Sequence, residues 1–139
     1  MYLLDTHVVS ELRKARSGKA NRGVERWADA VEAAELFVSV ITVQELEIGV
    51  LLAERKDAAA GAVLRSWFNG HVLPAFSGRV LPVDTAVALR SALLHVPDPR
   101  PVRDSLIAAT ALVHGMPVVT RNAADFEPSG VGVVNPWDD

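Results

Sequence analysis

Tyr2-Leu3-Leu4-Asp5-Thr6 opens the chain with three apolar residues that end directly on an acid. A short, uninterrupted apolar run is typical of a strand that is buried on both faces. A carboxylate at the end of such a strand is costly near a core unless another group compensates its charge. The stretch therefore predicts a buried strand with an acid of special importance at its carboxyl end.

Further apolar runs read as strands and alternate with segments of helical spacing along the chain. These runs are residues 36–40, 79–81, 117–120 and 131–134. Strands that are apolar throughout and alternate with helices indicate a parallel sheet that is covered on both faces. We therefore predict a three-layer α/β fold, in which helices flank a central, mostly parallel sheet of four to five short strands.

The bulk composition limits what this chain can be. Its 139 residues are most simply one domain, spanning residues 1–139. The absence of cysteine excludes disulfides, thiolate zinc sites and thiol catalysis. No apolar run reaches the ~18 residues of a membrane span, and the N-terminus lacks the basic lead of a signal peptide. We therefore expect a cytoplasmic protein that does not enter a membrane.

Three more acids resemble Asp5 in lying next to an apolar element. Glu45 follows the second strand, Asp104 opens an apolar helix, and Asp125 follows the strand at residues 117–120. Sites in parallel sheets form beyond the carboxyl ends of the strands, so these acids are placed to meet there. Four neighbouring carboxylates repel one another, and a divalent cation such as Mg²⁺ or Mn²⁺ removes that conflict. We predict catalytic and metal-binding roles for all four in a metal-dependent nuclease.

Each acid also has a structural alternative. Glu45 fits a capping box that starts at Thr42, in which its side chain would bond back to the helix N-terminus. Asp104 suits the positive end of a helix dipole, and Asp125 suits a turn. Asn122, on the same loop as Asp125, is an alternative fourth ligand with Asp125 in support.

Basic residues cluster between residues 13 and 26, opposed there only by Glu25. The net charge of −3 counts against a general nucleic-acid binder, which is usually basic. The local cluster is nevertheless suited to phosphates. We predict RNA-binding roles for Arg13, Lys14, Arg16 and Arg121, and the alternative is a solvated loop and helix face.

Taken together, these segments resemble the PIN-domain ribonucleases, and among them the VapC and FitB-like toxins of type II toxin–antitoxin pairs. The resemblance extends from about Met1 to Trp137. The stretches that carry it are Leu4-Asp5-Thr6 with Ser10-Glu11-Leu12-Arg13, Ser39-Val40-Ile41-Thr42 with Glu45-Leu46 and Gly49, Asp104-Ser105-Leu106-Ile107-Ala108-Ala109-Thr110-Ala111, Val119-Thr120-Arg121-Asn122 with Asp125-Phe126, and Asn135-Pro136-Trp137.

The resemblance implies a compact PIN-like fold and endonucleolytic cleavage of RNA with Mg²⁺ or Mn²⁺. It also implies a homodimer and inhibition by a cognate antitoxin protein. The acids of the family map onto Asp5, Glu45 and Asp104, whereas the fourth maps onto Asn122, which leaves Asp125 as the available carboxylate. We expect Thr6 and Thr120, with Asn122, to orient the metal ligands. His7 departs from the family, whose members usually carry Asn at that position.

Two other functions compete with this prediction. A phosphatase of the haloacid-dehalogenase type also places an acid after its first strand, but it needs a second acid two residues later, where His7 stands. A metal-independent PIN-like module that acts only through protein contacts is the other alternative, and metal titration distinguishes it from a nuclease.

Overall fold

The computed structural model describes residues 1–138, except for the side chain of Arg16. The strands are β1 (Tyr2–Leu4), β2 (Leu36–Ser39), β3 (Val80–Leu81), β4 (Val118–Val119) and β5 (Val133–Val134). Within residues 1–138 these five strands form one sheet in the order β3-β2-β1-β4-β5, and every neighbouring pair is parallel. The predicted α/β fold with a parallel central sheet is therefore confirmed.

Several of the helices that connect and cover the strands begin at a residue whose side chain caps them. Asn21, Asp57 and Asp84 each accept backbone N–H groups at the start of a helix, and Gly115 ends another with a φ of 68°. A wider π-type turn, Phe68–Val72, continues α4 into α5. The helices are α1 (Thr6–Arg13), α2 (Arg22–Ala30), α3 (Val40–Lys56), α4 (Ala58–Trp67), α5 (Leu73–Ala75), α6 (Thr85–Leu94), α7 (Val102–His114) and α8 (Ala123–Phe126). Among residues 1–138, no helix is both long enough and apolar enough to cross a bilayer.

The core lies on both faces of the sheet. Leu3 and Leu4 are fully buried but belong to opposite apolar clusters, because successive side chains of a strand point to opposite faces. Leu4 packs with residues of α1, α3 and the π-type turn, including Phe68, whereas Leu3 packs with α7 and α8, including Ile107 and Phe126. Burying each such side chain contributes about 1.5–3 kcal/mol. This two-sided burial is the reason why β1 is apolar throughout.

Helices α3 and α4 are clamped together. A Cβ atom added to Gly61 would lie 2.4 Å from the Cα of Glu54, so the two helices approach each other where only glycine fits. One turn further on, Arg65 donates two hydrogen bonds of 2.7 Å to Glu47 and two more, of 3.0 and 3.3 Å, to Glu54. These contacts between α3 and α4 hold the end of α4, where Trp67 lies, next to α1.

The strand order creates a crevice next to β1. From β1 the chain first builds β2 and β3 on one side, and it later returns to build β4 and β5 on the other. Ligands of such sheets bind beyond the carboxyl ends of the strands at this reversal. Asp5 directly follows β1 and Thr120 directly follows β4, and the backbone N–H of Asp5 donates to Val119 at 2.9 Å. The two residues therefore meet at the crevice.

Candidate active site

Two hydrogen bonds orient the carboxylate of Asp5 at the end of β1. Its Oδ1 accepts the backbone N–H of Thr6 at 2.8 Å, which caps α1, and its Oδ2 accepts the hydroxyl of Thr120 at 2.8 Å. The residue is only 4% exposed, and burial raises the pKa of its carboxyl above the ordinary value while both hydrogen bonds oppose that rise. Asp5 is thus a buried acid whose two carboxyl oxygens are both oriented by hydrogen bonds.

Glu45 lies on α3 and turns toward Asp5. Its Oε1 accepts the hydroxyl of Thr6 at 2.7 Å, and that hydroxyl lies 3.1 Å from the hydroxyl of Thr42. The capping-box alternative is wrong, because α3 begins at Val40 and Ser39 caps it by accepting the N–H of Ile41. Glu45 is therefore in the second helical turn, where its carboxylate faces α1 instead of its own helix end.

Asp104 and Asp125 complete a group of acids around one cavity. Asp104 is in the first turn of α7 and Asp125 is on α8. Together with Asp5 and Glu45 they line a cavity of about 460 Å³, which we call the acid cleft. Burial raises the pKa of Asp104, and the negative charges of the other three acids raise it further. The structure therefore brings the four predicted acids into one electrostatically coupled group.

Of the predicted support residues, Thr6 and Asn122 line the same cleft, whereas Thr120 is fully buried and reaches it through Asp5. Thr6 and Thr120 hold Glu45 and Asp5 as described, and the Thr120 hydroxyl also accepts the backbone N–H of Asn122 at 3.0 Å. The Asn122 and His7 side chains line the cleft as well. Asn122 and Asp125 both face the cleft, and of the two only Asp125 brings a negative charge.

Arg103 is the cleft residue that sequence reasoning missed. Its guanidinium lies 3.6 Å from Oε2 of Glu45, and its side chain lines the acid cleft next to Asp104. The signal in the sequence was its position directly before Asp104, but nothing local connects it to Glu45. Arg103 places a positive charge beside a carboxylate that a bound cation would also attract.

The chemistry of the donor set fits a hard divalent cation. Among the described residues, no three Asp, Glu or His side chains already converge closely enough to enclose an ion. Mg²⁺ retains several waters and needs only one or two carboxylates, so a partial ligand set that faces one cavity is sufficient. Burial is the main cause that raises the pKa of Asp5 and of Asp104, and neighbouring carboxylates add to the rise, so a bound cation would stabilise the charged form of both acids.

Of the predicted RNA-binding residues, Arg13 is the last residue of α1 and Lys14 directly follows that helix, whereas Arg121 lies on the loop after β4. Lys14 and Arg121 line a second cavity, which also touches His7 and Asn122 and which we call the middle cavity. Arg13 and Lys14 line a third, of about 570 Å³, which we call the basic cavity. The side chain of Arg16 lies outside the described part of the structure.

Comparison with known proteins gives consistent matches. The family model of the PIN domain matches residues 2–127. The chain is 38% identical to the VapC ribonuclease Y4jK of Sinorhizobium fredii, with 99% of each chain covered, and 36% identical to the toxin FitB of Neisseria gonorrhoeae, with 100% of each covered. The crystal structure of FitAcB from Neisseria gonorrhoeae superposes with a TM-score of 0.88 at 35% identity, covering 99% of both chains.

Proposed function

Because this chain belongs to the PIN-domain family, we propose that it is the toxin of a type II toxin–antitoxin pair and acts as a metal-dependent endoribonuclease. Full-length similarity to a VapC ribonuclease and to the toxin FitB supports this activity. The match to the PIN family argues against the alternative of a haloacid-dehalogenase-type phosphatase. We further propose that residues 1–139 act as a single PIN domain.

The observation that carries the proposal is the convergence of four carboxylates from four separate segments on the acid cleft. We assign Asp5 and Asp104 to the main cation, with Glu45 and either Asp125 or Asn122 completing its surroundings. The electrostatic coupling of Asp104 to the other three acids supports this assignment. No side chain needs to act as a nucleophile, since water can attack the phosphodiester.

Bound Mg²⁺ or Mn²⁺ would lower the pKa of a coordinated water and stabilise the charge that develops on the scissile phosphate. The residues of the chain prepare the place for that chemistry. Thr120 and the backbone N–H of Thr6 hold both oxygens of Asp5, and the Thr6 hydroxyl turns Glu45 toward the same cleft. These contacts fix the ligand oxygens before a cation arrives, which reduces the cost of binding it.

We propose three further properties from the same family membership. A cognate antitoxin protein would hold the toxin inactive, and the toxin would form a homodimer. Its action would take place in the cytoplasm, where cellular RNA is found. Exposed apolar side chains such as Leu51, Leu52, Leu89 and Leu93 offer surface for protein partners.

The proposal is tested with purified protein, free of antitoxin, incubated with total RNA and either Mn²⁺, Mg²⁺ or EDTA. We expect cleavage that requires the cation, with discrete ends when the products are mapped. Asp104→Asn should abolish cleavage, whereas Asp29→Asn, which removes an exposed acid of α2, should leave it unchanged. An Asp104→Asn protein as active as its parent would refute the assigned site.

A calorimetric titration separates the nuclease from a metal-independent binding module. The nuclease requires saturable binding of Mn²⁺ that Asp104→Asn weakens. Cation binding that is undetectable in the parent, together with intact antitoxin binding, would support the module instead.

A further inference from the structure

Arg103 is the one lysine or arginine among the described residues that line the acid cleft. A phosphodiester carries a negative charge, so the carboxylates of the cleft repel it. When all four acids are ionised, a single divalent cation balances only half of their charge. The cleft therefore favours a further positive group at the place where a phosphate enters, and Arg103 supplies it.

The contact between Arg103 and Glu45 is weak enough to be exchanged. The guanidinium lies 3.6 Å from Oε2 of Glu45, which is longer than a hydrogen bond, and the Arg103 side chain is 54% exposed. Exposed ion pairs of this kind contribute little to stability. The other oxygen of Glu45, Oε1, accepts the hydroxyl of Thr6 at 2.7 Å. Thr6 can therefore hold Glu45 in place when Arg103 leaves it.

Arg103 also lies at the edge of the cleft, where it can reach an incoming strand. It directly precedes Asp104 in the first turn of α7, and its side chain lines both the acid cleft and a neighbouring cavity of about 370 Å³. No side chain caps the start of α7, so its first N–H groups add partial positive charge at the same place. The planar guanidinium can bind two oxygens of one phosphate.

We propose that Arg103 binds the phosphate at the cleaved bond and exchanges Glu45 for the phosphate oxygens as the RNA enters. The proposal rests on the ribonuclease function proposed above and adds a substrate-binding residue to it. The exchange releases Oε2 of Glu45, which can then turn toward the cation. One change of partner thus prepares both the carboxylate and the phosphate.

The first test measures the coupling between Arg103 and the charge of one phosphate, in EDTA so that no cation takes part. Two RNA oligonucleotides contain the mapped cleavage site, one with an ordinary phosphodiester and one with an uncharged methylphosphonate at that bond. The adjacent 2′-hydroxyl is methylated in both for chemical stability. The ratio of the two affinities is compared between the parent and Arg103→Gln, which cancels the effect of the acids. We expect Arg103→Gln to shift this ratio about tenfold toward the methylphosphonate.

Arg55→Gln is the matched control for this cycle. It removes the same charge from the exposed end of α3, about 15 Å along the helix from Glu45, and should keep the ratio of the parent. Arg103→Lys keeps the charge but loses the planar fork, so its ratio should lie between those of the parent and Arg103→Gln. Equal ratios in Arg103→Gln and Arg55→Gln would overturn the proposal. Thermal melting confirms that each variant is folded.

Experiments with Mn²⁺ separate phosphate binding from a structural role. Arg103→Gln removes the positive charge beside Glu45, so Mn²⁺ binding without RNA should tighten about fivefold by calorimetry. Single-turnover cleavage at saturating Mn²⁺ should nevertheless slow about tenfold, because the phosphate loses its contact. A residue that only maintained the shape of the cleft would weaken both when replaced, and that result would overturn the proposal. An unchanged Mn²⁺ affinity would overturn the exchange with Glu45.

Cleavage also distinguishes failure of this proposal from failure of the proposed function. If the parent cuts RNA and Arg103→Gln cuts it equally fast, the role of Arg103 is refuted and the ribonuclease stands. A parent that cuts no RNA with Mn²⁺ or Mg²⁺ would refute the ribonuclease and, with it, the proposed role of Arg103.

Discussion

Replacing Thr120 by valine removes the hydroxyl that links the two central strand ends. Thr120 is fully buried, and its hydroxyl both donates to Oδ2 of Asp5 at 2.8 Å and accepts the N–H of Asn122 at 3.0 Å. Valine has nearly the same shape, so the packing of the site is kept while both hydrogen bonds are lost. The substitution therefore isolates the support that Asp5 receives from the opposite strand.

The expected cost follows from the kind of bond that is lost. A hydrogen bond to a charged group contributes about 1.5–3 kcal/mol, and a bond between neutral groups about 0.5–1.5 kcal/mol. The carboxylate of Asp5 is buried, so water replaces the lost donor poorly. We expect Thr120→Val to lower the free energy of unfolding by about 2–3 kcal/mol at neutral pH without a cation.

The loss of unfolding free energy caused by Thr120→Val should also depend on pH. Burial raises the pKa of Asp5 above 3.8, and the Thr120 hydroxyl opposes this, so the pKa rises further in the variant. In the folded variant Asp5 keeps its proton to a higher pH than it does in the unfolded chain. The free energy of unfolding of the variant therefore falls as the pH rises through the window above 3.8. The difference between parent and variant should therefore grow from about 1 kcal/mol near pH 4 to its full value near pH 7.

Urea unfolding in EDTA across this pH range measures the effect, and Thr110→Val is the matched control. Thr110 is equally buried, but its hydroxyl donates only to the backbone carbonyl of Leu106, at 2.7 Å within α7. Its replacement should cost about 1 kcal/mol or less at every pH. A Thr120→Val cost that is independent of pH, or no larger than that of Thr110→Val, would refute the reasoning.

Three further predictions test other parts of the molecule, the last of them with a matched control substitution. Asp104→Asn removes a carboxylate that burial and the neighbouring acids destabilise, so it should raise the melting temperature in EDTA by about 3 °C, and a lower temperature in a thermal scan would contradict this. Arg103→Ala removes the cation 3.6 Å from Glu45 and should strengthen Mn²⁺ binding about fivefold by calorimetry, and unchanged affinity would show that Arg103 does not compete. Gly61→Ala places a Cβ 2.4 Å from the backbone of α3 and should cost about 2 kcal/mol or more in urea unfolding. Gly49→Ala, where nothing lies within 4 Å, should instead stabilise α3 by about 0.5–1 kcal/mol, and equal effects of the two would contradict the close approach of α3 and α4.

The sequence predicted the elements whose signals are local. The bounds of α7 follow from an apolar segment that ends at Gly115, and the start of α6 follows from its cap, Asp84. β1 was predictable because burial on both faces leaves a continuous apolar run. The placement of Asp5 at the crevice was predictable because sites in parallel sheets form beyond the carboxyl ends of the strands.

The error at Thr42 shows where local patterns fail. Thr42 and Glu45 have the spacing of a capping box, yet Ser39 caps α3 and Thr42 is buried within the helix. Two hydroxyl residues near a helix start compete for the cap, and the choice depends on which one the core buries. Here the contact between the Thr42 and Thr6 hydroxyls, made across two helices, accompanies that burial.

The amino-acid order alone determined the α/β class, the parallel sheet and the identity of the four acids that line the acid cleft. The reason is that hydrophobic periodicity, and the position of an acid after an apolar run, can be read from short stretches of sequence. Only the tertiary structure decided that Arg103 approaches Glu45, that the guanidinium of Arg13 lies over the ring of Trp67, and that the acid cleft and the middle cavity share His7 and Asn122. These contacts join residues that are distant in the chain, and they depend on how α1, α3, α4 and α7 pack against the sheet. Spacing along a sequence carries no record of such distances, since side-chain neighbours across helices are set by packing and not by periodicity.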